Sequence, residues 1–385
     1  MNNYLSEYLM KKILFVIQEF TQGGINRCLE NLLPYMDSTK YEIFVYSLYE
    51  DGGDYYKRIF ASRIISKSNL YYFLHDNRYI RKFMGLYNRL TRRYNWGFLY
   101  KREAQYLQRK YDLDVIIAYH EGMTVEFVSY FRDVKRITWF HCDPLVLGKS
   151  LFEEYKEYYK KIDTIVCVSN VVRDSIRNMF AEFTGNLEVV HNTLDIDLVR
   201  KNAFAPISDY GKRNSVFRIL SVGRSSKVKQ FEKIPGIMRQ LLNKGVNNVI
   251  WSIIVSGTEC NEEIENAICD NNVKDYVFML GEKDNPYPYI FQSDLLVSTS
   301  YSEAYPTVIN EAQTLGVPVV ANNYPSAKEI VDERCGFVCS IGEMPELLYN
   351  LVTNKNGDYS NAKHGVSMFD YDNAGIVCQL DGVFN

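Results

Sequence analysis

The feature that most constrains this chain is an alternation of short apolar runs with amphipathic segments, and the alternation is run through twice. Ile13–Ile17, Val115–Tyr119, Arg136–Phe140 and Thr164–Val168 are short and apolar, as strands buried on both faces are. Helical stretches follow two of them, at Asn26–Tyr35 and Val171–Phe180. After a polar segment, Ala205–Ser215, the pattern restarts with Phe217–Val222, Val249–Val255, Tyr276–Leu280, Leu295–Thr299 and Val317–Ala321. Helices lie between these, for example Phe231–Asn243 and Ile309–Leu315. Strands separated by helices make a parallel sheet covered on both faces. The class is therefore α/β, with two doubly wound halves in 385 residues. In such folds a ligand belongs at the carboxyl ends of the strands, here in a crevice between the two halves.

Composition narrows the function. The chain is 46% hydrophobic and 24% charged, which excludes disorder, collagen and coiled coil as descriptions of the whole. Its net charge of −3 lacks the basic footprint of a nucleic-acid binder. Eight cysteines are scattered without a C-x2-C pair or a neighbouring His cluster, so they read as small buried hydrophobes in a reducing compartment, with no metal expected. Ile13–Ile17 is too short for a signal peptide, and no run approaches the roughly 18 apolar residues of a membrane span. A cytoplasmic location is expected, with peripheral attachment to the inner membrane face open. One segment supports that attachment. Asn77–Lys110 holds ten basic residues and one acid, Glu103, interleaved with aromatics. Basic charge mixed with aromatic rings suits an anionic membrane surface, with Arg89, Arg92, Arg93 and Trp96 as the candidate contacts. The alternative is a solvated helical hairpin whose aromatics face a core.

Four motifs carry chemistry. Gly23 and Gly24, in Gln22-Gly23-Gly24-Ile25-Asn26-Arg27, stand at a strand-to-helix turn where a backbone can approach a ligand. The run is not G-x-G-x-x-G, which disfavours a nicotinamide dehydrogenase. His141 closes a buried strand in Trp139-Phe140-His141-Cys142-Asp143, where a doubly wound fold presents functional groups; His120 stands after the preceding strand. Gly223-Arg224 and Lys229 follow the opening strand of the second half, and Arg224 and Lys229 can converge on one anion. In Ser300–Ala312 a strand ends, Glu303 follows, Tyr305 and Pro306 lead into a helix, and Glu311 lies eight positions after Glu303. Thr307 and Val308 would offer backbone N–H groups to a diphosphate, and the Glu311 carboxylate suits the paired hydroxyls of a ribose.

Glu303 through Glu311 resembles the E-x7-E motif of family 4 retaining glycosyltransferases with the GT-B fold. Gly223-Arg224 with Lys229 is similar to their diphosphate loop, Gly23–Arg27 to their G-G-x-x-R loop, and His141 to a residue at their reacting centre. Val190-His191-Asn192 with Asp195 resembles the start of the interdomain linker, and Phe369–Asp372 the last helix, which crosses back to the first domain. The resemblance implies two Rossmann-like domains facing across a cleft: 1–204 on the acceptor side, 205–368 for the nucleotide-sugar, and 369–385 returning. Ala304-Tyr305-Pro306 replaces the commoner Gly-Phe-Gly, and Val255–Thr258 replaces a Gly-x-Gly turn. The implied activity is retaining, metal-independent transfer of a hexose-type sugar. The donor is a nucleotide-sugar, with UDP the default and GDP open. The acceptor is a saccharide, lipid-linked if the basic segment meets membrane, in bacterial-type polysaccharide or glycan assembly. No cofactor is expected. Arg224 and Lys229 would neutralise the leaving group; Glu303 and His141 would hold the donor sugar. Asp112-Leu113-Asp114 and Asp195-Ile196-Asp197 spell the metal-binding D-x-D of another glycosyltransferase fold, but neither follows a strand's end. A non-catalytic partner subunit and a nucleotide-sugar epimerase are the rival readings.

Overall fold

The computed structural model describes residues 10–20, 23–49, 60–76, 79–80, 82, 97–147, 149–208, 210, 216–354 and 356–384. Two compact units result, Met1–Thr193 with Asn373–Asn385, and Leu194–Asp372. The first contains six parallel strands: β1 (Lys11–Ile17), β2 (Tyr41–Ser47), β3 (Val115–Ala118), β4 (Lys135–Phe140), β5 (Thr164–Cys167) and β6 (Asn186–Val189). Their spatial order is β2-β1-β3-β4-β5-β6. Burial dictates which strands sit inside. Ile13, Leu14, Phe15, Val16 and Ile17 are fully buried, and Phe15 stands opposite Val45 on one side and Ile117 on the other. β2 and β6 form the edges. β6 alternates exposed and half-buried residues, so it lacks the continuous apolar run that marks the central strands.

The second unit repeats the plan with β7 (Phe217–Arg224), β8 (Val249–Ser256), β9 (Val277–Gly281), β10 (Leu295–Ser298), β11 (Val319–Asn322) and β12 (Gly336–Cys339). The order is β12-β11-β10-β7-β8-β9, and every pair is parallel. Ile219, Trp251, Ile253, Leu295 and Val297 form the middle of its core with Met238, Leu241 and Leu348 from the covering helices. Crossing from β10 back to β7 reverses the winding, and the carboxyl ends of these neighbours are the topological switch point at which α/β sheets take ligands.

By packing, the first compact unit runs to Thr193 and the second begins at Leu194. The helix Ile196–Asn202 packs with Tyr287–Phe291 and Thr307–Thr314 of the second unit, and Asn202 O accepts a 2.9 Å bond from Asn285. The closing helix likewise starts at Asn373, and Phe369–Asp372 stay with the second unit. That helix, Asn373–Phe384, is tied to the first unit: Lys40 pairs with Asp381 at 2.6 Å, the Tyr41 hydroxyl donates to Asp381 at 2.8 Å, and Lys11 Nζ donates to Phe384 O at 3.1 Å. Four of the eight cysteines, Cys28, Cys167, Cys260 and Cys335, are buried as expected; Cys269 and Cys378 are exposed.

One glycine in the second unit is dictated by packing. A Cβ added at Gly365, in the helix Asp358–Ser367, would lie 1.9 Å from Arg334 O. Neither backbone can yield cheaply. Gly365→Ala is therefore expected to destabilise the fold by about 3 kcal/mol, the upper end of overpacking costs. For a unit of this size that lowers the thermal midpoint by about 6–12 °C, readable by circular dichroism. An unchanged midpoint would mean that this helix does not rest on the Arg334 backbone.

Candidate active site

In the second unit, β7 carries Gly223 and Arg224 at its carboxyl end, and a short 3-10 turn, Lys227–Lys229, follows. The turn is pinned on two sides. Ser225 N–H donates to Ser256 O at 2.7 Å, and the Ser225 hydroxyl accepts from Cys260 N–H at 2.8 Å. Thr299 Oγ1 donates to Lys229 O at 2.6 Å, and Tyr301 N–H donates to Val228 O at 3.0 Å. Gly223 has a specific steric reason: a Cβ there would stand 3.0 Å from Lys229 Cε and 3.2 Å from Phe231 Cζ. The missing side chain is the groove in which the lysine stem lies.

Lys229 Nζ meets Glu303 Oε1 at 2.5 Å, with the two side chains 18% and 15% exposed. The Ser300 hydroxyl donates to the same oxygen at 2.6 Å, and the Ser326 hydroxyl donates to Glu303 O at 2.7 Å. Asn322 donates to Ser300 O at 2.9 Å. Glu303 is thus fixed from three directions, while Oε2 makes no bond to the described residues. Ser300, Asn322 and Ser326 escaped the sequence reading. Ser300 precedes Glu303 by three positions, a local spacing that carries a signal; Asn322 and Ser326 arrive from β11 and the loop after it, and only the fold brings them in. Arg224 is exposed and makes no ion pair with the described residues.

The helix Thr307–Thr314 begins beside this pair. Pro306 occupies its N-cap position with an extended backbone, and no side chain caps the first turn. The first-turn N–H groups at Thr307 and Val308 are half-buried donors at the positive end of the helix dipole, a ready anion site. Glu311, one turn in, is buried at 7% exposure. The Tyr305 ring is also buried, and its hydroxyl lies 3.1 Å from that of Tyr371.

In the first unit Gly23 is the N-cap of the helix Gly24–Leu32, and a Cβ at Gly23 or Gly24 would meet nothing within 4 Å. Among the described residues, packing does not demand these glycines. His141 follows β4. Its ring sits edge-on to Tyr119 at 4.6 Å and parallel to Trp139 at 6.0 Å. Among the described residues neither ring nitrogen has a hydrogen-bond partner, nor has His120 Nδ1. Burial lowers the His120 imidazole to about 4. Burial, and then the neighbouring His120, lower His141 well below its ordinary value, so both rings are neutral at pH 7. Glu121, beside them, was not singled out in the sequence.

The two D-x-D pairs have structural employment. Asp114 Oδ2 accepts from Lys12 N–H at 2.8 Å, Asp112 adopts a left-handed turn with φ 53°, and Asp195 caps the helix Ile196–Asn202 through Leu198 N–H at 2.9 Å. Among the described residues no three His, Cys, Asp or Glu side chains gather as a metal site.

Arg89, Arg92, Arg93 and Trp96 lie outside the described residues. The helix Gly97–Tyr111 at the end of that segment buries Leu99, Tyr100 and Leu107 but exposes Phe98 at 69%, along with Lys101, Arg102 and Arg109. Its aromatics divide between core and solvent rather than all facing inward. The segment's lone acid, Glu103, is buried under Tyr46, whose hydroxyl donates to it at 3.0 Å, and Ser68. The described surface of this segment is therefore basic without compensation from its own acid. No helix among the described residues is long and apolar enough to cross a membrane.

Comparison with known proteins gives the family and the fold. The family described as Glycosyltransferase Family 4 matches residues 22–198, and the one described as Glycosyl transferases group 1 matches residues 207–352. An uncharacterized glycosyltransferase of Methanocaldococcus jannaschii is 22% identical over 59% of this chain and 61% of its own length. The N-acetylgalactosamine-N,N'-diacetylbacillosaminyl-diphospho-undecaprenol 4-alpha-N-acetylgalactosaminyltransferase of Campylobacter jejuni is 24% identical over 55% of this chain and 58% of its own. The matched stretches thus span less than two thirds of these relatives. Among solved structures, Anabaena HepE in complex with UDP and glucose superposes with a TM-score of 0.72 at 18% identity, covering 97% of this chain and 99% of that one.

Proposed function

We propose that this chain, which belongs to the family 4, group 1 glycosyltransferases with the GT-B fold, is a retaining enzyme that moves a hexose-type sugar from a UDP-sugar to a lipid-linked saccharide in bacterial-type polysaccharide or glycan assembly. The observation that carries the reading is the Lys229–Glu303 pair, 2.5 Å apart, beside an uncapped helix N-terminus. As the glycosidic bond to the nucleotide breaks, negative charge grows on the leaving diphosphate. Lys229, Arg224 and the N–H groups of Thr307 and Val308 stabilise that charge where it develops, which lowers the barrier rather than merely tightening binding. Glu303 offers its unbonded Oε2 to donor-sugar hydroxyls, and Glu311 takes the ribose hydroxyls. His141, neutral, accepts or donates a single hydrogen bond to a sugar hydroxyl without adding charge. The Gly23-Gly24 backbone accommodates donor and acceptor groups too bulky for a side chain to stand there.

UDP is supported by the nucleotide bound in the Anabaena structure, and the lipid-linked acceptor by the Campylobacter relative named for a diphospho-undecaprenol substrate. A thermal-shift panel of nucleotide-sugars followed by a labelled-transfer assay tests the reading. A donor at about 100 times its Kd should stabilise the protein by about 2.7 kcal/mol, and the product should keep the donor's anomeric configuration. A chain that isomerises its donor without any acceptor is an epimerase instead, and one that binds no nucleotide-sugar is a partner subunit.

The reaction is metal-independent in this reading, because side-chain and backbone donors supply the positive charge. EDTA at millimolar concentration should leave turnover unchanged. Activity lost to EDTA and restored by Mn²⁺ would overturn this point. The basic, aromatic segment Asn77–Lys110 supplies peripheral attachment to an anionic membrane surface, each basic residue near it being worth about 1 kcal/mol. Co-sedimentation with anionic liposomes should be measurable at low salt and weaken as salt rises. The triple change Arg89→Glu, Arg92→Glu and Arg93→Glu should abolish it while nucleotide binding persists. Equal, poor binding to neutral and anionic vesicles would remove the attachment.

A further inference from the structure

We propose that Glu121 is a positioning residue for His141: its carboxylate ties the carboxyl end of β4 to that of β3 and thereby fixes where the imidazole stands. The proposal rests on the reading that His141 contacts the donor sugar.

β3 and β4 are neighbours in register, Ala118 opposite Thr138, so both chains leave the sheet at the same edge. Past that edge the ladder stops, and the N–H groups of His141 and Cys142 would have no strand partner. Glu121 supplies one. A single oxygen, Oε1, accepts from His141 N–H at 2.7 Å and from Cys142 N–H at 2.9 Å. Among the described residues the ring is held by packing, edge-on to Tyr119 and parallel to Trp139, and neither nitrogen has a hydrogen-bond partner there. Packing sets the ring's tilt, but the backbone bonds set the position of the Cα from which it projects.

Glu121 is itself held in place. Gly122, with φ +82°, takes a backbone conformation that side chains avoid and turns the chain directly into the helix Met123–Val128. The hydroxyl of Tyr159 accepts from Gly122 N–H at 3.4 Å, and the Thr124 hydroxyl donates to His120 O. A Cβ at Gly122 would touch the Tyr155 ring at 3.5 Å, so this turn has little freedom. Burial raises the Glu121 carboxyl above its usual value, and the backbone N–H groups around it pull the other way. Among the described residues this half-buried carboxyl accepts from the two backbone donors beside the His141 ring. The tie needs an oxygen at the right reach; it does not need a charge.

That distinction gives the test. His141→Ala, Glu121→Ala, Glu121→Asp and Glu121→Gln would be measured for kcat, donor KM and thermal midpoint in the full chain. Glutamine keeps an oxygen at the same reach and should hold kcat within about threefold of the parent. Alanine has no acceptor, and aspartate is one methylene short. Both should lose on the order of 10- to 100-fold in kcat, the scale of an ångström-level misplacement, with donor KM within about twofold. His141→Ala should lose at least as much. If His141→Ala is inactive while Glu121→Asp and Glu121→Ala turn over normally, Glu121 positions nothing. If glutamine fails as badly as aspartate, the charge matters and the tie as described is wrong. A proportionate rise in KM with falling midpoint across all three Glu121 variants would mark a purely structural carboxylate. Normal turnover in His141→Ala would instead overturn the role of His141, and the positioning role with it. Should Glu121→Ala not fold, the aspartate and glutamine pair decides alone.

Discussion

Replacing Lys229 by alanine is expected to lower turnover on the order of 100-fold or more, equivalent to about 2.7 kcal/mol of lost transition-state stabilisation. The lysine is fixed more firmly than its place on a loop implies. Its stem lies in the space left by Gly223, its carbonyl accepts from Thr299, and its ammonium group is held by Glu303 at 2.5 Å. In the proposed function it is therefore already positioned for a diphosphate, with no reorganisation needed as charge develops. Removing it also leaves the half-buried Glu303 without its cation, facing an incoming anion. Part of the loss should consequently return in the Lys229→Ala, Glu303→Gln double variant, and a double-mutant cycle separates that repulsion from the direct effect. Arg224→Ala should fall by a similar factor, without the coupling to Glu303, because Arg224 is exposed and forms no ion pair with the described residues. The thermal midpoint should barely move in Arg224→Ala, whose side chain is exposed, and should fall in Lys229→Ala, which leaves Glu303 unpaired. Turnover like the parent's in both would sink the assignment of this loop to the leaving group.

The central strands were legible because burial on both faces forces an unbroken apolar run. Ile13–Ile17, Val115–Tyr119, Leu295–Thr299 and their like were each found within a residue or two of the observed β1, β3 and β10. β2, β6 and β12 were not, and all three are edges. β6 reads Asn186-Leu187-Glu188-Val189, alternating in burial, which sequence alone does not separate from a loop of that length. The motifs at Gly223–Lys229 and Glu303–Glu311 were legible because local spacing and the resemblance both mark them. What holds them was not. Ser326 reaches Glu303 across a sheet neighbour, and Glu121 reaches His141 from the adjacent strand end, twenty residues away in sequence. Contacts between strand ends depend on strand order, which hydrophobic periodicity does not encode. The packing of the helix Ile196–Asn202 is of the same kind: it precedes the polar segment but packs forward, onto the second unit.

Glu303→Gln and Glu311→Gln should part company, although both exchange a carboxylate for an amide of the same shape. Glu303 faces the lysine with Oε1 and keeps Oε2 unbonded to the described residues; in the proposed function its charge serves the reacting end of the donor. The amide cannot hold Lys229 as an ion pair and aligns a hydroxyl less strongly. Its turnover should fall on the order of 100-fold while donor KM changes little, because the interaction is made chiefly in the transition state. Glu311 lies a turn inside the helix Thr307–Thr314, buried at 7% exposure, and in the proposed function it meets the ribose rather than the bond that breaks. There, exchanging charge-assisted for neutral hydrogen bonds to a ribose costs about 1.4 kcal/mol, which is about a tenfold rise in donor KM with kcat nearly intact. Initial-rate kinetics with donor varied at saturating acceptor read both numbers directly. Reversed behaviour would exchange the two roles, placing the ribose at Glu303 and the sugar at Glu311. Two variants indistinguishable from the parent would leave the Lys229–Glu303 pair as a fold-holding ion pair, and the leaving-group site would then have to be sought at Arg224 and the helix N-terminus alone.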